Sequence, residues 1–232
     1  ANSTAASNTA VGVSALKANT TGATNTAVGK DALLTNTTAS YNTAVGESAL
    51  QTNSTGASNT ALGAGALTAN TTASNNTAIG YQSLQTNTTG DKNIAVGNAS
   101  LYANTTGAEN TAIGYNSLAA NTTANDNTAL GYKTLEVNTT GSSNVAVGNH
   151  SLRDNTTASS NTAVGHVSLA LNTTGYGNPK DLPFASSALW TNNSSAFEIT
   201  TDGFLKVLVA GDYLVKATVT SQNFNPSDAY GY

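Results

Sequence analysis

Every seventeenth residue, the chain returns to a near copy of the same five letters. Asn8-Thr9-Ala10-Val11-Gly12 is the first full copy and Asn161-Thr162-Ala163-Val164-Gly165 the tenth. Ten full repeats cover residues 8–177, after a partial one at 2–7. A unit this short cannot bury a core alone and must stack on its neighbours. The period therefore predicts a parallel β-solenoid, quasi-one-dimensional, with one rung per repeat. It specifies architecture and names neither a ligand nor a reaction.

The composition agrees. Only 9% of the 232 residues are charged, far below the usual ~25%, and the net charge is −4. Disorder usually pairs high net charge with weak hydrophobicity, and here Asn, Thr, Ser, Ala and Gly fill the space instead. A mildly acidic chain without a Lys/Arg run gives no support to nucleic-acid binding. With no Cys, neither a disulfide framework nor a thiolate metal site is available. No apolar run approaches the ~20 residues of a membrane span, and no signal peptide is visible. The chain has no Met and begins inside a repeat, which reads as a piece of a longer polypeptide.

Let the Asn of Asn-Thr-Ala-Val-Gly be position 1. Position 4 is always aliphatic: Val11, Val28, Val45, Leu62, Ile79, Val96, Ile113, Leu130, Val147 and Val164. Position 2 is usually Thr but becomes Ile94 and Val145. At the β period of two, positions 2 and 4 share a face, and their apolar character predicts that this face is the interior. Position 9 is always Leu: Leu16, Leu33, Leu50, Leu67, Leu84, Leu101, Leu118, Leu135, Leu152 and Leu169. The columns at positions 4 and 9 are the expected core, at ~1.5–3 kcal/mol for each buried side chain. The invariant Gly at position 5 predicts a corner that excludes a Cβ.

Position 3 is Ala in every copy: Ala10, Ala27, Ala44, Ala61, Ala78, Ala95, Ala112, Ala129, Ala146 and Ala163. Facing away from positions 2 and 4, it would be unusually bland for exposed surface. A roll this thin is also a weak unit alone. Both points predict a homotrimer with the Ala columns among its inter-chain contacts; the alternative is a monomeric solenoid with a small-residue outer face. Asn at position 12 and Thr at position 14 recur in every full copy, as in Asn36-Thr37-Thr38. Stacked at ~4.8 Å, such side chains form hydrogen-bonded ladders. Variation gathers at positions 6, 7, 10, 16 and 17, where Lys30, Glu47, Tyr81, Tyr115, Lys133, Arg153 and His166 stand, with Asp154 beside Arg153 at position 11. These are the expected solvent-facing corners.

Asn25-Thr26-Ala27-Val28-Gly29 resembles the Ser-Val-Ala-Ile-Gly motif of YadA-like trimeric autotransporter heads. That resemblance implies a β-roll packed as a trimer. The repeat here is longer, and Asn replaces the leading Ser. The longer pattern, Asn25 through Leu33 to Asn36-Thr37-Thr38, is similar to repeats of phage tail fibres and bacterial surface proteins.

After Asn172-Thr173-Thr174-Gly175 the period fails. Asn178-Pro179 and Pro183 follow, and Pro cannot donate to a ladder. The organisation read from this is a shaft at 1–177, a junction at 178–195 carrying Trp190, and an antiparallel β segment at 196–232. In that segment Phe197 and Ile199 alternate, Asp202-Gly203 signals a turn, and Phe204 to Val209 is strongly β-prone. With Gly211-Asp212-Tyr213, it resembles the start of a C1q/TNF-like jelly roll, cut short.

No catalytic constellation emerges. His150 and His166 fall at different rung positions without a carboxylate at ligand spacing. They read as surface histidines, with a metal shared by three chains on the axis as the remaining alternative. Asp202 and Asp212 read as turn residues, since nothing resembles a calcium loop. No Gly-x-Ser-x-Gly elbow is present. The chain is expected to be no enzyme, without cofactor or metal. Asn-x-Ser/Thr sequons recur at position 12, from Asn19 to Asn172, and read as an Asn ladder ahead of glycan acceptors. Adjacent Thr20 and Thr21 face opposite ways, which counts against an ice-binding threonine array. The function expected is a non-enzymatic extracellular fibre or attachment protein, viral, phage or bacterial. It would be a rigid trimeric shaft carrying a C-terminal binding or capping domain that meets a host-cell receptor or glycan. The alternatives are a polymeric extracellular filament and an ice-binding solenoid.

Overall fold

A computed structural model describes residues 5–172, 197–199 and 205–207. The repeat folds as one parallel β-solenoid in which each 17-residue copy makes one rung. Its strands are β1 (Thr9–Val11), β2 (Thr26–Val28), β3 (Thr43–Val45), β4 (Thr60–Leu62), β5 (Thr77–Ile79), β6 (Ile94–Val96), β7 (Thr111–Ile113), β8 (Thr128–Leu130), β9 (Val145–Val147) and β10 (Thr162–Val164). They form a single sheet in sequence order. Each repeat position pairs with the same position of the next rung, so that Ala27 lies beside Ala44 and Val28 beside Val45.

The sheet faces the opposite way from the sequence expectation. Ala27, Ala44, Ala61, Ala78, Ala95, Ala112, Ala129 and Ala146 are completely buried, Ala163 nearly so, and only Ala10 at the end rung is exposed. None of the position-4 residues is buried: Val11, Val28, Val45, Leu62, Ile79, Val96, Ile113, Leu130, Val147 and Val164 all point outward, Leu62 at 47% exposure and Leu130 at 44%. These ten are not core, and the buried alanines cannot be an inter-chain contact. Alternation fixes only that position 3 opposes positions 2 and 4. Which side is inward follows from the width of the rung. The space between its walls takes an Ala methyl on one side and Leu on the other, and a β-branched pair at 2 and 4 is too bulky for it.

The Leu column is core as expected. Leu33 through Leu152 are fully buried and Leu16 is buried, while Leu169 in the last rung is 52% exposed. Position 8 lines the interior too, with Ala32, Ala49 and Ala66 in the early rungs and Ser83, Ser100, Ser117, Thr134 and Ser151 later. The Ser83 hydroxyl donates to the Ala95 carbonyl at 3.0 Å, and Ser100 donates likewise to Ala112 at 2.8 Å.

Two interior Asn columns complete the rung, at positions 1 and 12. Asn36 Nδ2 donates to Asn19 Oδ1 at 2.8 Å, and Asn53 Nδ2 to Asn36 Oδ1 at 3.0 Å. This is the ladder that the repeat predicts. The position-1 column bonds differently: Asn25 N–H donates to Asn8 Oδ1 and Asn42 N–H to Asn25 Oδ1. The threonines of position 14, expected to form a second ladder, make no side-chain hydrogen bond among the described residues. It is position 13 that bonds along the axis, Thr37 and Thr71 donating to the backbone carbonyls of Ser54 and Thr88 one rung on.

The wall opposite the sheet is a double turn, also bonded rung to rung: Leu33 N–H donates to Ala49 O and Thr35 N–H to Gln51 O. To make it, every position-9 Leu adopts a left-handed conformation, with φ of 49° at Leu33 and 50° at Leu50. For an L-residue this costs ~1–2 kcal/mol, of the same size as the ~1.5–3 kcal/mol that burying Leu returns. At the near corner Gly46 has φ 136°, and a Cβ there would stand 2.5 Å from the Gly63 carbonyl oxygen. That corner is closed to every other residue.

Beyond the solenoid, β11 (Phe197–Ile199) and β12 (Leu205–Val207) pair antiparallel, Phe197 opposite Val207. This agrees with the hairpin read from Asp202-Gly203. The junction with Trp190 and the rest of the expected jelly roll lie outside the described residues.

Candidate interaction surface

The outer sheet face is the most regular surface of the solenoid. Position 2 offers Thr9, Thr26, Thr43, Thr60, Thr77, Thr111, Thr128 and Thr162, with Ile94 and Val145 between them. All are partly or fully exposed, and beside them runs the position-4 aliphatic row. The hydroxyls of these threonines make no hydrogen bond among the described residues. Ten strands at ~4.8 Å and three residues of ~3.3 Å each give a strip of about 48 by 10 Å. Position 14 forms a second uniform array, with Thr21, Thr38, Thr55, Thr72, Thr89, Thr106, Thr123, Thr140 and Thr157 all exposed.

The corner after each strand, position 6, is exposed in every rung and varies from rung to rung. In the early rungs Lys30 Nζ meets Glu47 at 3.1 Å, and this hydrogen bond and its charge raise the Lys30 pKa. In the later rungs the corner turns aromatic. Tyr115 and Tyr132 stack at 5.4 Å with 12° between planes, and His150 meets Tyr132 edge-on at 5.4 Å. Lys133 Nζ lies 5.8 Å from the Tyr132 ring centre and pairs with Glu136 at 3.0 Å. At the other end of the strand, position 17, Lys92 pairs with Glu109 at 2.7 Å. That hydrogen bond holds the Glu109 carboxyl below its usual range and raises Lys92. Arg153 grips Asp154 through two bonds of 2.7 and 2.6 Å, lowering the Asp154 pKa.

The sequence singles out further residues, which the structure places as follows. The histidines do not come together: His150 is half-buried against Tyr132 and His166 is exposed, in the next rung. Among the described residues, no three His, Asp or Glu side chains cluster as metal ligands do. Asp202 and Asp212 lie outside the described residues. The sequon asparagines from Asn19 to Asn155 are buried, with Nδ2 engaged in hydrogen bonds, as at Asn70 and Asn104. A glycan on that nitrogen is incompatible with the folded rung. Sequence reasoning missed the interior Asn of position 1. Its signal is the invariance of Asn immediately before an invariant strand.

Among the described residues, no helix is long and apolar enough to cross a membrane. Comparison with protein-family models, curated proteins and solved structures finds no match.

Proposed function

We propose that this chain is the stiff shaft of an extracellular fibre or attachment protein, without enzymatic activity, assembled as a homotrimer through the outer sheet face. One observation carries the reading: ten rungs in perfect register present an unbroken aliphatic row outward. The row runs the length of a strip on the order of 500 Å², the size of the largest surface patch on a typical monomer, which is often functional. Small Thr side chains beside the row let copies approach closely. The neutral Asn columns inside hold rung to rung without charge, which suits a rod. The C-terminal segment would carry the binding or capping function, towards a host-cell receptor or glycan.

The test is a double variant on that face, Ile79→Lys with Ile113→Lys. Both side chains point out of the rung, so circular dichroism should keep its β signature. The mass in solution should fall from three chains to one. A variant that stays trimeric places the interface elsewhere.

A second reading draws on the same face. The free position-2 threonine hydroxyls, on eight of the ten rungs of an in-register parallel sheet, are the kind of array that an ice-binding solenoid requires. Thr20 and Thr21, which face opposite ways, belong to other columns. Thermal hysteresis in a solution of the chain would establish this reading, and its absence would remove it.

A further inference from the structure

We infer that the position-6 corner of rungs five to seven holds a sugar ring of a neutral glycan, in a notch between Tyr81 and Tyr115 with Asn98 as its wall. The inference rests on the attachment reading above and gives the shaft itself a ligand class, beside the binding function proposed for the C-terminal segment. Tyr115 uses one ring face on Tyr132, from the following rung. Its other face looks towards the preceding rung, where position 6 is Asn98 and not an aromatic residue. The backbones are in contact there, Asn116 N–H donating to Asn98 O at 3.1 Å. Asn98 is exposed, and its side-chain amide has no hydrogen bond among the described residues. One rung further on stands Tyr81, 54% exposed.

Two rung spacings separate Tyr81 from Tyr115, about 9.6 Å along the axis. A sugar ring lying on the free face of Tyr115 needs one contact of ~4 Å, and the rest of the interval to Tyr81 leaves room for the pucker of a pyranose. The apolar face of the sugar covers Tyr115, and its hydroxyls meet the amide donors and acceptor of Asn98. The platform is rigid before binding, because Tyr132 is held between Tyr115 and His150, so little ordering cost remains. Charge selects against phosphorylated or acidic ligands: Lys133, the cation beside the stack, is already paired with Glu136.

The experiment is saturation-transfer NMR on the whole chain with chitotriose, maltotriose and N-acetyllactosamine as probes. At least one should receive saturation, with affinity reduced tenfold or more by Tyr115→Ala and unchanged by Tyr41→Ala, another exposed tyrosine. Asn98→Tyr separates binding from folding, because it fills the notch and continues the aromatic stack. It should abolish transfer while keeping or raising Tm. Transfer to none of the three sugars overturns the inference, as does binding that survives Tyr115→Ala or Asn98→Tyr. Mass in solution is independent of these readouts, so a trimer that binds no sugar leaves the shaft reading intact.

Discussion

Asn25 and Asn36, eleven residues apart along the chain, donate their side-chain amides to the same acceptor, the carbonyl of Ala39, at 2.8 and 3.0 Å. The arrangement repeats down the solenoid: Asn42 and Asn53 share Gly56, and Asn144 and Asn155 share Ala158. Each pair ties the start of a strand to the loop that leads into the strand of the next rung. The Oδ1 atoms bond along the axis to the adjacent rung. Asn76 is the exception, its Nδ2 being buried without a partner.

Replacing Asn36 with Asp removes both donated bonds and sets a carboxylate against Asn19 Oδ1. Leaving buried groups unpaired costs ~1–3 kcal/mol each, more for a charge. Asn36→Asp should therefore lower stability by at least ~3 kcal/mol, read by chemical denaturation. An equal change at exposed Asn98 should stay within ~0.5 kcal/mol.

Gly46→Ala should be more damaging than its size suggests. It meets both a forbidden φ and the Gly63 carbonyl. We expect a loss above ~2 kcal/mol, and a thermal melt within a degree or two of the parent would contradict the corner geometry.

Glycosylation is tested by site-resolved peptide mass mapping. Expressed in a glycosylating secretory pathway, the folded solenoid should carry no glycan at Asn36 through Asn155, because those Nδ2 atoms are buried and bonded. Asn75, Asn98 and Asn149 also begin Asn-x-Ser/Thr sequences and are exposed, so a glycan there is compatible with the fold. A glycan mapped to any of the position-12 asparagines, with folding retained, would contradict the buried Asn ladder.

Stability should vary little with pH. Every buried polar side chain among the described residues is Asn, Ser or Thr, and none of these titrates. Glu109 and Asp154 have depressed folded pKa values, so their contribution is present above the unfolded carboxyl pKa. It is lost as pH falls through the lower folded value, below ~4. Both pairs are solvent-screened, so the acid loss should be small. Scanning Tm between about pH 9 and pH 3 checks this, and a steep loss near neutrality would point to a buried ionisable group.

Much of this was legible in the sequence because the repeat is strict. The period gave the rung, the invariant Gly its corner, the Leu column its core and the Asn of position 12 its ladder. The orientation of β1–β10 was not legible, because Thr-Ala-Val alternates identically whichever face is inward. Hydrophobicity alone favours Val inside, and only the narrowness of the rung reverses that choice. The left-handed Leu turn was invisible for a related reason: nothing in Leu33 or Leu50 signals positive φ, and the conformation is imposed by stacking. At the corners, the Tyr115–Tyr132 stack follows from their 17-residue spacing, whereas the edge-on His150 sits one position away, in a contact that the period does not specify.

The most direct test of the account is the mass in solution of residues 1–232, by light scattering on a size-exclusion column. An outward aliphatic row on every rung predicts three times the 23.2 kDa chain mass. A clean single-chain mass would contradict the trimer and leave the row exposed to water.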